Sequence, residues 1–114
     1  MSTLSSIERI WFIVNLIPKG NVLPYGVVAD FAGLPGRARY VSRALKLAPQ
    51  NLTLPWHRVI NSQGKISFAN NTDAFQTQQQ LLRLDGIEVN AGKISLSQYQ
   101  WKPDIATLVM TLPF

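Results

Sequence analysis

The run Gly33-Leu34-Pro35-Gly36-Arg37-Ala38-Arg39-Tyr40-Val41-Ser42-Arg43-Ala44-Leu45-Lys46-Leu47 decides how the chain folds. Its first four residues are a turn, because two glycines and a proline interrupt a helix. The residues after them have a helical wheel at about 100° per residue. Arg39, Arg43 and Lys46 share one narrow stripe, and Val41, Ala44, Leu45 and Ala48 lie opposite. The pattern predicts a helix over residues 37–47, stopped by Pro49. That helix packs its apolar side inward and keeps its basic side in water. Small Ala38, next to Arg39, leaves room for the backbone to approach a groove. Upstream, Tyr25-Gly26 opens a short helix over residues 27–32. Short helix, tight turn, basic helix is the order of a helix-turn-helix.

Working outward, residues 5–17 read as a helix. Ser5 and Glu8 make a capping-box pattern. Ile7, Ile10, Trp11, Val14 and Ile17 form one apolar stripe, and Pro18 and Gly20 end it. Residues 22–24 read as a short extended segment. Downstream, a loop over residues 49–54 leads into Pro55-Trp56-His57-Arg58-Val59-Ile60. Pro55 fixes one backbone angle, and Val59 and Ile60 favour a strand. Trp56 and His57 are therefore held just ahead of a buried anchor. Residues 61–64 read as a hairpin turn joining Val59-Ile60 to residues 65–68. Residues 73–85 read as a helix capped by Asp73, with Gln76 at its third position and Gly86 at the stop. Phe75 and Leu82 face inward, and Gln78, Gln79 and Gln80 serve solubility. Residues 87–89 and 93–96 form a small hairpin around Asn90-Ala91-Gly92. The apolar tail, residues 107–114, adds a strand or packs over the core.

The 114 residues, 46% of them apolar and 15% charged, suit one globular domain. Nothing approaches the run of roughly 20 apolar residues that a membrane span needs. The first residues lack the basic-then-apolar order of a signal peptide, so an intracellular, cytoplasmic or nucleoid location is expected. No cysteine is present, which excludes disulfides, thiolate metal sites and thiol nucleophiles. One histidine makes a catalytic zinc site unexpected. The net charge is +5. No acidic residue lies between Asp30 and Asp73, while Arg37, Arg39, Arg43, Lys46, Arg58 and Lys65 do. Such a block reads as a surface for a polyanion, nucleic acid first, or as a soluble basic face.

Pro55-Trp56-His57-Arg58-Val59 resembles the Pro-Cys-His-Arg-Val motif of the O6-alkylguanine-DNA alkyltransferases, with tryptophan in place of the reactive cysteine. In that form it marks the alkyltransferase-like proteins. The resemblance extends through Ile17-Pro18-Lys19-Gly20 with Tyr25-Gly26, Gly33-Leu34-Pro35 with Ala38-Arg39, Leu81-Leu82 with Asp85-Gly86, and Trp101-Lys102-Pro103, across about residues 7–103. It implies one mainly α domain with small β elements, of the winged helix-turn-helix-like, alkyltransferase C-terminal type. It implies a lesion pocket of Tyr25, Trp56, His57, Val59 and Ala69. It implies DNA contacts from Tyr25, Arg37, Arg39, Ser42, Arg43 and Lys46. Tyr25 stands where the family rotates the target nucleotide, and Arg39 where an arginine fills the hole in the stack. His57 and Asp85 stand where the transferases relay a proton to the cysteine.

Two departures matter. Ala48 replaces an asparagine, and Ala69 replaces a tyrosine, or the arginine of some relatives. The latter implies a wider pocket that admits bulkier alkyl groups. The implied function is a non-enzymatic sensor that flips O6-alkylguanine out of duplex DNA and marks it for nucleotide excision repair proteins. The implied protein is a monomer, without cofactor or metal. A sequence-specific regulator, with Trp56 as core and the basic helix in the major groove, is the competing reading. A hydrolase built on His57 and Asp85 lacks a nucleophile.

Overall fold

The computed structural model describes residues 4–114. Helix α1 spans Ser6–Leu16. Its start is the expected capping box: Glu8 N donates to Ser5 Oγ at 3.2 Å and Ser5 N to Glu8 Oε1 at 3.0 Å. Ile10, Ile13 and Val14 are its buried side. Trp11 is half-buried, and its indole N–H donates to Ala44 O at 2.7 Å, tying α1 to the basic helix.

Strand β1, Leu23–Pro24, leads directly into α2, Tyr25–Phe31. The turn after α2 closes as the glycines dictate. Gly33 and Gly36 sit at φ +76° and +79°, and Leu34 N donates to Ala29 O at 2.8 Å. Only glycine takes that backbone without strain. Helix α3 spans Ala38–Lys46 and buries Val41 and Ala44 against α1 and α2. The chain is thus mainly helical, with a helix-turn-helix formed by α2 and α3.

Residues Trp56–Arg58 form a single 3-10 turn, and β2 follows at Val59–Ile60. The expected hairpin between Val59-Ile60 and residues 65–68 does not form. Strand β2 instead pairs in parallel with β1, Leu23 beside Val59 and Pro24 beside Ile60. The reason is burial. All four residues are buried, and a parallel pair between helices covers both faces. Residues 61–64 do turn, but the chain beyond them pairs elsewhere, Lys65 bridging to Lys93.

Helix α4 spans Asp73–Leu84 and is capped by Thr72, not Asp73. Thr72 has the extended backbone a cap needs, and its hydroxyl accepts from Phe75 N at 3.2 Å. The Asn90-Ala91-Gly92 turn forms, with Asn90 and Lys93 exchanging both backbone bonds and Ala91 and Gly92 at positive φ. No long hairpin grows from it, because Ile94 N turns to Gly64 O and helix α5, Leu96–Tyr99, begins. The tail adds no strand. Asp104 caps a helix α6, Ile105–Thr111, and Phe114 meets Phe12 edge-on at 6.2 Å.

Two buried clusters result. One lies among α1, α2 and α3; the other joins Val22, Ile60, Phe75, Leu82, Ile87 and Ile94. The β1–β2 pair spans the seam, with Leu23 and Val59 in the first cluster and Ile60 in the second. Any group carried just before β2 is therefore anchored from both sides.

Candidate nucleic-acid interface and pocket

The exposed side of α3 is cationic. Arg39, Arg43 and Lys46 are exposed, Val41 and Ala44 are buried, and α3 contains no acidic residue. Arg43 and Lys46 occupy the last turn, where cations suit the helix dipole. Arg37 precedes the helix, and its guanidinium lies over the Tyr40 ring at 5.0 Å from the centroid. Ser42 and Lys46 differ from the other basic-face residues. They border a pocket of about 370 Å³.

Trp56 faces Ser42, Leu45 and Lys46 across that pocket. Phe68 backs the indole edge-on at 6.3 Å. Tyr25 closes one side from the start of α2, its hydroxyl 3.0 Å from Ser67 Oγ. Ala74 and Thr77 of α4 complete the wall. The volume falls within the roughly 300–1,000 Å³ of small-molecule sites, and its aromatic lining with a few polar groups is the usual chemistry of one. The indole is not sealed in the core. It is half-buried and also borders a second hollow of about 460 Å³, beside Asn15, Thr53 and His57.

Of the five expected pocket residues, the structure brings Tyr25 and Trp56 to the lining. His57 lies behind Trp56, on the second hollow. Val59 is 1% exposed and packs into the core, as β2 pairing requires. Ala69 is exposed and is not among the lining residues, whereas its neighbour Phe68 is. Of the expected DNA contacts, Arg37, Arg39 and Arg43 form an outer cationic face, and Ser42, Lys46 and Tyr25 reach the pocket.

A polar network fixes the 3-10 turn from behind. Asp85 Oδ2 accepts from Arg58 Nε at 2.8 Å and lies 2.9 Å from His57 Nε2. Arg58 Nη1 donates to Ile17 O at 2.9 Å, so the turn is bound to the ends of α1 and α4. Burial holds the His57 imidazole below its ordinary pKa, against the opposing pull of Asp85. Burial raises the Asp85 carboxyl, but hydrogen bonds from Arg58 and His57 outweigh it and leave it below the ordinary value. At neutral pH the pair is thus a neutral imidazole donating Nε2–H to a carboxylate.

Gln78, expected to serve solubility, is 1% exposed. Its Nε2 donates to His57 O and to Val59 O, both at 3.0 Å. The readable signal was spacing, since Phe75, Gln78 and Leu82 form one inward stripe of α4. Phe68 was likewise legible as the inward partner of Ile66. Among the described residues no group of three His, Cys, Asp or Glu is placed to hold a metal ion. No described helix is long and apolar enough to cross a membrane.

A basic helix-turn-helix with an aromatic pocket beside its second helix defines a class: a DNA-binding domain with space for one small group next to the duplex. The chain belongs to the family of the 6-O-methylguanine DNA methyltransferase DNA-binding domain, whose family model matches residues 5–87. It is similar to the DNA base-flipping protein of Vibrio parahaemolyticus serotype O3:K6, with 48% identity over 96 residues, 83% of this chain and 94% of that one. Alkyltransferase-like protein 1 of Schizosaccharomyces pombe is 37% identical over 100 residues, covering 83% of this chain and 93% of the relative. The fold matches S. pombe Atl1 in complex with damaged DNA containing O6-carboxymethylguanine at a TM-score of 0.78 and 36% identity, over 90% of this chain and all of that one. It also matches Mycobacterium tuberculosis OGT in complex with DNA at 0.62 and 31% identity, spanning 75% of this chain but 51% of OGT.

Proposed function

We propose that this chain binds duplex DNA containing an O6-alkylguanine, turns the nucleotide out of the stack, and holds it beside Trp56 without accepting the alkyl group. One observation carries this reading. The pocket opens along the basic helix, and a tryptophan rather than a thiol forms its wall. The relatives named for base flipping and for alkyltransferase likeness, and the Atl1 complex with damaged DNA, support it.

The roles rest on the chemistry of the side chains. Extruding a base costs a few kcal/mol, least when it is mispaired or damaged. Arg39, exposed near the start of α3, enters the stack and offsets part of that cost, since a guanidinium both stacks and attracts phosphate. Tyr25 guides the backbone of the turning nucleotide. Arg37, Arg43 and Lys46 hold phosphates. The Trp56 indole, in the position of the transferases' cysteine, offers an apolar face worth roughly 0.8 kcal/mol for each methylene it buries. With no thiol in the chain, transfer by the family's route has no acceptor. His57 and Asp85 then act structurally, holding the turn that carries Trp56. The protein works as a monomer inside the cell, and the bent, lesion-bound complex recruits nucleotide excision repair proteins.

The test compares matched duplexes carrying guanine or O6-methylguanine at one position, at fixed salt. Tighter binding to the lesion in every sequence context is expected, and Arg39→Ala should reduce it by about 1–3 kcal/mol. Equal affinity for both duplexes would favour a sequence-reading regulator. Labelled alkyl-DNA should leave no label on the protein, and stable covalent transfer would contradict the absence of chemistry.

A further inference from the structure

Lys65 and Lys93 stand opposite each other in an isolated antiparallel bridge. The flanking bonds, Ile94 N to Gly64 O at 2.7 Å and Ile66 N to Gly92 O at 2.9 Å, bracket the lysines rather than join them. This is the non-hydrogen-bonded kind of pair, in which Cα atoms approach to about 4.5 Å and side chains come closest. The backbone is firmly set there. A Cβ at Gly64 would meet Ile94 O at 2.5 Å, and one at Gly92 would meet the Phe75 ring at 2.6 Å. Asn61 Oδ1 accepts from the N–H groups of Gln63 and Lys65, both at 2.9 Å.

Like charges placed directly opposite destabilise a strand pair. Both lysines are exposed, and among the described residues the ion pairs fall on Asp85, none on Lys65 or Lys93. The fold therefore roots two lysine side chains opposite each other, and among the described residues neither has an ion-pair partner. Lys65 lies close to the Tyr25 edge of the pocket in the chain, two residues before Ser67. Lys65 and Ser67 are both exposed, on either side of buried Ile66. Ser67 Oγ contacts the hydroxyl of Tyr25, which lines the pocket.

We propose that Lys65 and Lys93 form a phosphate clamp, a contact with the DNA backbone at the Tyr25 edge of the pocket and separate from α3. It rests on the DNA-binding reading and deepens it. A bound phosphate relieves the repulsion between the two ammonium groups, and the clamp holds the backbone without reading a base. Its contribution is thus independent of damage.

The test measures affinity for the guanine and O6-methylguanine duplexes across a salt series, with the unaltered protein, each single variant and the double variant Lys65→Gln, Lys93→Gln. The slope of log affinity against log salt should become shallower by roughly 0.9 for each phosphate interaction removed. Both duplexes should weaken by the same factor, leaving lesion preference intact. The double variant should melt no lower than the unaltered protein, because repulsion is removed. An unchanged slope with lesion preference intact would overturn the clamp and leave the sensor standing. A lower melting temperature would assign the weakening to folding and overturn it too. An unaltered protein with no salt-dependent duplex binding would remove the reading beneath it.

Discussion

Trp56 owes its position to groups that never touch the pocket. Two carbonyls of its turn, those of His57 and Val59, are held by one buried amide, Gln78 Nε2. Gln78→Leu keeps the volume but leaves both carbonyls unpaired, and an unsatisfied buried group costs about 1–3 kcal/mol. Denaturant unfolding should report a loss of that size, whereas Gln79→Leu on the less buried side should change little. Protonation acts on the same turn. The folded His57 has a pKa below its ordinary 6.5, so between the two values the folded chain binds fewer protons than the unfolded one. Stability therefore rises with pH through that window and falls as acid is added below about 6.5. Asp85 acts in the same direction at lower pH. Its depressed carboxyl adds stability above its ordinary 3.8 that is lost as pH falls through the folded value. The unfolding midpoint should drop between about pH 7.5 and about pH 5.5, and His57→Gln should flatten that drop. A flat profile in the unaltered protein would contradict the burial of a neutral imidazole.

Among the elements, those with a local signal were legible. The capping box of Ser5 and Glu8, the glycine turn after α2 and the two-sided wheel of α3 each lie within a short stretch of chain, and each is present. Long-range pairing was not legible. Val59 and Ile60 favour a strand in any arrangement, but their partners Leu23 and Pro24 are distant in the chain and lack any matching pattern. The tail was ambiguous for a related reason, since a short apolar run has no decisive period. Site residues divide in the same way. Ser42 and Lys46 were readable from the α3 wheel, whereas Ala74 and Thr77 join the pocket only through tertiary packing. The corrected cap of α4 is directly testable. Thr72→Ala should cost about 1 kcal/mol, because it removes the acceptor for Phe75 N. Asp73→Ala should cost less, only a first-turn charge being removed.

At the scale of the whole molecule, the proposed function divides binding and inspection between a cationic surface and the pocket that Tyr25 borders. In the proposed complex, the outer face of α3 and the Lys65–Lys93 pair carry charge toward the duplex, and the Trp56 pocket receives a single base. Charge sets affinity, and salt should weaken binding to any duplex. The pocket sets preference, and only a base that leaves the stack reaches it. Extrusion is the decisive step, and a base analogue reports it. 2-Aminopurine placed next to the O6-methylguanine brightens when its neighbour unstacks. Adding saturating protein should raise that fluorescence in the lesion duplex, leave the guanine duplex nearly unchanged, and lose its effect when Arg39 is alanine. Saturated binding to the lesion duplex with no rise would contradict extrusion into the Trp56 pocket.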